Sequence, residues 1–162
     1  MAETLGSLVD KLSIKNLRIW HLDEALEDEG APASKRQELQ AKRDLADSQR
    51  QELAKEIDGF LGAALRGEVR IRDEKIKMYT NTNVSSSEAI KELGRAVSEL
   101  ANRNIKIWHL EDEVRRTDLP DATIVQTKRK IDTTNQERND LMDKVDEILL
   151  KHSTNTSREG RD

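Results

Sequence analysis

Arg50 and Arg138 stand 88 positions apart, each on or beside the apolar face of a predicted helix. The same spacing relates Asn16 to Asn104, Trp20 to Trp108, Asp23 to Glu111 and Gln49 to Glu137. An inward guanidinium presents a rigid fork of N–H donors that matches a phosphate or a carboxylate. An amide and an indole beside it could complete a pocket for a small anion such as a sugar phosphate or nucleotide. The candidate ligand-binding residues are therefore Asn16, Trp20, Arg50, Asn104, Trp108 and Arg138. A plainer reading competes with this one. Arginines, amides and carboxylates buried between helices also fix helix register, and in bundles they do so more often than they bind ligands.

Other chemistry is weaker. His21 precedes Glu24, and His109 precedes Asp112, each by three residues, so each pair shares a helix face. Di-iron bundles use that separation with Glu first and add further inward glutamates. Here the order is inverted, and a half-exposed His at an interface is the expectation. The acidic clusters at residues 23–28 and 111–113, with Asp140, Asp143 and Asp146 opposite, could hold Mg²⁺ as in a metal-dependent hydrolase, but their spacing is that of a solvated face. Arg66, Arg70, Arg72, Lys75 and Lys77 with Tyr79 are diluted by Glu68, Asp73 and Glu74, so a segment docked on the bundle with its charges in water is expected. There is no glycine-rich phosphate loop, nucleophile elbow or zinc motif. No catalytic residue, metal ligand or cofactor is assigned, and the balance leans away from an enzyme.

The elements that position these residues come in two copies. At the offset that relates Trp20 to Trp108, residues 5–61 run against 93–149 without a gap, with 16 identities in 57 pairs. Among the identities are Gly6/Gly94, Asn16/Asn104, His21/His109, Pro32/Pro120 and Arg50/Arg138. Such a repeat fixes architecture before any other signal. In the first copy, Leu5, Leu8, Val9, Leu12, Ile19 and Leu26 fall on one stripe at helical spacing, over a helix from about Thr4 to Glu29. Asn16, Trp20 and Asp23 fall on the same stripe. Gly30-Ala31-Pro32 ends that helix, with Gly30 free to take a left-handed cap. Ser34 and Gln37 form a capping box for a second helix running to about Leu65. A short loop between long helices predicts an antiparallel hairpin. Ser85 and Glu88 suggest a third helix over about 87–116, and a fourth follows over about 122–151. Residues 67–87 are the crossover between copies, and residues 153–162 read as a disordered tail.

The expected fold is all-α: a four-helix bundle of two duplicated αα-hairpins with pseudo-two-fold symmetry, one domain over residues 1–152. Composition agrees. Charged residues make up 37% and aromatics 2%, so the core must be aliphatic and the helices long. A net charge of −4 argues against nucleic-acid binding through a broad basic surface. Without cysteine there is no disulfide or thiolate chemistry. No apolar run is long enough for a membrane span, and no signal pattern opens the chain, so a cytoplasmic protein is the default.

Two phrases of the second copy, residues 108–112 (WHLED) and 128–141 (KRKIDTTNQERNDL), resemble an uncharacterised bacterial family, domain of unknown function four-two-five-four. Residues 9–14 and 75–79 resemble it too. The halves stand in the reverse of the family's order, as a circular permutation would leave them, and a symmetric bundle tolerates that. The resemblance implies an all-helical bacterial protein associated with surface-polysaccharide assembly, and no known reaction. The reading that follows is a helical binding or scaffold protein, partnered by another protein or by itself. The alternative is the anionic-ligand site at the bundle centre.

Overall fold

The computed structural model describes residues 3–72 and 86–159, and it contains four helices: α1 (Leu5–Glu27), α2 (Ala33–Leu65), α3 (Leu93–Val114) and α4 (Asp121–Glu159). The helix starts keep the spacing of the sequence repeat. Leu5 and Leu93 open α1 and α3, and Ala33 and Asp121 open α2 and α4. Among the described residues there is no strand, and Val69–Arg72 is irregular.

Helix α1 packs along α2, and α3 along α4, as two hairpins. Only α1 packs substantially against all three other helices. A two-fold arrangement would set α2 against α3 as α4 is set against α1. Instead α2 lies chiefly on α1. The core is gathered at the crossover end. Leu5 of α1, Ala64 of α2, Ala96 and Leu100 of α3, and Leu141, Val145, Ile148 and Leu149 of α4 are all buried there. Burying one such aliphatic side chain contributes about 1.5–3 kcal/mol. Ile71 and Ile90, on either side of the crossover, close the same cluster, while Arg70 and Arg72 stay exposed. Lys75, Lys77 and Tyr79 lie outside the described residues.

The N-terminus of α1 is held by three devices. The Thr4 side chain accepts from the Ser7 amide, and the Ser7 hydroxyl accepts from the Thr4 amide, a reciprocal cap. The Gly6 amide donates to Asp146 Oδ1 at 2.7 Å, across to α4. Asp146 is 2% exposed, so its carboxylate sits at the positive end of the α1 dipole, shielded from water. Only glycine permits that approach, since a Cβ on Gly6 would lie 2.2 Å from the Met142 carbonyl oxygen.

Several helix ends differ from the sequence expectation. Helix α1 ends at Glu27, and the one positive-φ glycine among the described residues is Gly67, at 74°, not Gly30. Gly67 closes α2: its amide donates to Ala64 O and that of Glu68 to Ala63 O, the paired closure a left-handed residue allows. Helix α2 starts at Ala33 behind Pro32 and has no side-chain cap, so Ser34 lies inside the helix. Helix α3 starts at Leu93, later than Glu88 implied, because Ile90 turns into the core before the helix begins. Helix α4 continues to Glu159, past Lys151 and into the stretch the sequence assigned to a disordered tail. Residues 160–162 lie outside the described residues.

Late in α4, Lys144 donates to Glu147 Oε2 at 2.8 Å and Lys151 to Oε1 at 2.6 Å. The Lys144 bond first, then the Lys151 bond, holds the Glu147 carboxyl at about 2, down from 4.5. The shift is downward, so its stabilisation is complete above the unfolded value and is lost as pH falls from about 4.5 toward 2. In urea titrations Glu147→Gln should therefore be less stable than wild type at neutral pH, and the gap should close by about pH 2. A second prediction contrasts two glycines at equivalent repeat positions. Gly6→Ala should cost about 1–3 kcal/mol through overpacking. Gly94→Ala, where a Cβ would meet nothing within 4 Å, should gain about 0.5 kcal/mol. Equal signs in urea midpoints would show that α1 does not dock on α4 as described.

Candidate functional site

Away from the packed end, several openings lie along α1, and three of them border the candidate residues. The first is a cavity of about 170 Å³ between α1, α3 and α4. Ile14 and Leu17 come from α1, Asn104, Trp108 and Glu111 from α3, and Arg138 from α4. Three of the six candidate residues thus meet in one place, all from the second sequence copy. Arg138 Nε is buried without a hydrogen-bond partner, the one such side-chain atom among the described residues. Leaving a donor unsatisfied away from water costs about 1–3 kcal/mol.

Most of the neighbouring polar groups are engaged elsewhere, while the Glu111 carboxylate lines the cavity with Arg138. Asn104 Nδ2 donates to Asp10 Oδ1 at 2.8 Å, a buried contact joining α3 to α1. Arg103 Nε donates to Glu137 Oε2 at 2.7 Å, and its NH1 to Glu99 Oε2 at 3.1 Å. Arg115, at the cavity edge, turns to Asp112 at 3.0 Å. A polar network does join these helices, but it is built on Arg103 and Asp10 with Asn104 and Glu137, and Arg138 is left out of it.

The other three candidates are elsewhere. Arg50 pairs with Asp47 on its own helix. Asn16 is exposed, and Trp20 is 63% exposed. Their place on the apolar stripe of α1 is as the sequence indicates, but burial does not follow. α2 covers one edge of the stripe and α3 with α4 the other, so its centre is left open. Asp23 pairs with Arg43 across to α2 at 3.0 Å.

That open centre is the second feature, a groove of about 330 Å³ between α1 and α3. Its apolar lining comes from Val9, Leu12 and Leu17 on one side and Val97, Ala101 and Ile105 on the other. Positions 9, 13 and 17 are the repeat equivalents of 97, 101 and 105, so the two walls are matching ridges at helical spacing. Ile105 is 44% exposed.

The third is an open cleft of about 480 Å³ between α1 and α2, with Leu22, Leu45, Arg18 and Lys42 among its lining. His21 and Trp108 border it, stacked with ring centroids 4.5 Å apart and planes 6° from parallel. Periodicity alone gave no sign of this contact, because it joins two different repeats. His21 Nδ1 also lies 3.0 Å from Glu24, whereas His109 is exposed and Asp112 serves Arg115. No cluster of three or more His, Asp or Glu suited to a metal is present among the described residues. No described helix is long and apolar enough to cross a membrane.

The family model described as "Protein of unknown function (DUF4254)" matches residues 1–72 and 94–161. The chain belongs to the DUF4254 family. Neither the search of curated proteins nor that of solved structures found a match. In this DUF4254 chain each matched segment carries one hairpin, and both fall outside residues 73–93. The family description supplies no reaction, so the assignment of roles rests on geometry.

That geometry separates network from site. Arg138→Leu in the DUF4254 chain should keep the fold, with a thermal midpoint at or above wild type, because it removes an unpartnered donor. Asp10→Ala should lose about 1–3 kcal/mol, because it strands the buried Asn104 amide. Circular dichroism melts read both, and unfolding of Arg138→Leu would make Arg138 a structural residue.

Proposed function

We propose that this chain works by binding, as a helical module whose partner is a second copy of itself seated on the α1–α3 groove. The observation that carries the reading is the match between the two groove walls. Val9, Ser13 and Leu17 face Val97, Ala101 and Ile105 at equivalent repeat positions. A surface built from two near-copies of one ridge can pack against itself, as an isologous interface requires. The chain already contains one such encounter, since its two related hairpins pack on each other through α1. Ile105, 44% exposed, lies in the groove, and Trp20, 63% exposed, stands one helical turn beyond Asn16 of its lining, so both are large apolar side chains available to an interface.

The bacterial setting, the association with surface-polysaccharide assembly and the permuted order of the family's halves come from the family resemblance, and they are part of this proposal. A homodimeric scaffold in that setting would present both copies of the α1–α2 cleft to further partners.

Sedimentation at tens of micromolar tests it. The wild type should run as a dimer. Ile105→Glu and Trp20→Glu should run as monomers with unchanged helical content, because both side chains are already exposed. Leu45→Glu, equally exposed but outside the groove, should stay dimeric. A wild-type monomer would sink the reading.

A further inference from the structure

We infer that the cavity between α1, α3 and α4 binds a small oxyanion, a carboxylate or singly charged phosphate group held by Arg138. The inference is separate from the dimer proposal, because the groove does not include Arg138.

The repeat itself shows how Arg138 came to be free. In the first copy Arg50 is closed by Asp47, three residues earlier on the same helix. The residue three before Arg138, at the position equivalent to Asp47, is Asn135. An amide there cannot neutralise a guanidinium. The adjacent carboxylate, Glu137, is engaged by Arg103. One substitution in the repeat, Asn135 at the position of Asp47, together with the engagement of Glu137 by Arg103, thus leaves one guanidinium, with its Nε out of water, facing a cavity.

Size and charge narrow the ligand. At about 30 Å³ per water, 170 Å³ holds the volume of roughly five waters. That suits an oxyanion of a few heavy atoms and is too small for a nucleotide, since drug-sized ligands occupy about 300–1,000 Å³. Arg115 is taken up by Asp112, so Arg138 and Glu111 are the charges the lining keeps, and they balance, which limits the ligand to a single negative charge. Asn104 has one of its two amide hydrogens committed to Asp10. Trp108 completes the wall and reports on it.

The test uses the full chain with Trp20→Phe, which makes Trp108 the sole tryptophan. Sodium phosphate and sodium acetate are titrated separately at constant ionic strength, and Trp108 emission is read. A saturable change with either anion supports the site and shows which oxyanion it takes. A strictly linear response to both overturns it. Arg138→Met should weaken binding at least about tenfold, the loss expected for a charge-assisted hydrogen bond. Asn135→Asp should do the same by restoring the internal partner that Arg50 has, and it keeps the test decisive if Arg138→Met does not fold. Binding that survives both changes overturns the assignment. Glu111→Gln should tighten binding, and an unchanged dissociation constant would place the anion outside the cavity and overturn it as well.

Discussion

The contact between the start of α1 and the middle of α4 decides how the two hairpins sit on each other. Gly6 brings the α1 backbone against the Met142 carbonyl, and its amide meets the buried Asp146. A carboxylate taken out of water is costly unless its oxygens are matched by donors. A helix N-terminus supplies donors with the right polarity and no mobile side chain. Once that end is fixed, the remaining cross-hairpin contacts follow along the same helix. Asp10 meets Asn104, and His21 stacks on Trp108 further toward the turns. The second hairpin is held to the first mainly through α1, with Ala64 of α2 joining the shared core at the crossover end, so α2 lies toward the periphery.

A nearly repeated sequence therefore gives two unequal halves, and the inequality is written in a few residues. Asp146 is buried beneath Gly6, while its counterpart Asp58 is exposed. Gly6 is wedged against a carbonyl, while Gly94 meets nothing. Lys15 reaches a neutral Gln49 across the first hairpin, and at the same positions Arg103 reaches Glu137 in the second. A pair of opposite charges mostly removed from water gains more from hydrogen bonding than a single charge on a neutral amide, but it also needs every partner in place. The second hairpin carries the more demanding polar interior, and the first supplies the helix that covers it.

Much of this was legible in the sequence. Apolar spacing and the proline-bearing turns gave four helices, and the end of α2 at Leu65 is as expected. The misplaced ends have physical causes that propensity does not carry. The capping boxes at Ser34 and at Ser85 with Glu88 were overruled by Pro32, which caps α2 two residues earlier, and by Ile90, which the core takes before α3 can begin. The polar stretch after Lys151 has no apolar periodicity, yet α4 runs on through it by continuing a helix already nucleated. At the site, residue types and the repeat pointed to Asn104, Trp108 and Arg138, but they pointed equally to Asn16, Trp20 and Arg50. Nothing in a stripe pattern says which edge a neighbouring helix will cover, so the exposure of Trp20 had to come from the packing. The separate fates of the two arginines could have been suspected from Asp47 and Asn135, since a carboxylate one turn away is the nearest competitor for a guanidinium.

The three openings around α1 differ in what they cost. Leu17 lines both the groove and the cavity, and Trp108 both the cavity and the cleft, so single side chains divide them. An apolar groove on a helix surface is inexpensive, and so is an open cleft edged with lysine and arginine. The cavity is not. It keeps a guanidinium nitrogen dry and unpaired beside a polar network that does not include it. Natural sequences break local rules of this kind mainly where a ligand or a partner restores the missing interaction. The same arginine in the other repeat has its carboxylate, which shows that closing it off is within the reach of this fold. On the proposed oxyanion site, the unpaired donor marks the second hairpin as the half of the molecule whose interior is shaped for a ligand as well as for packing.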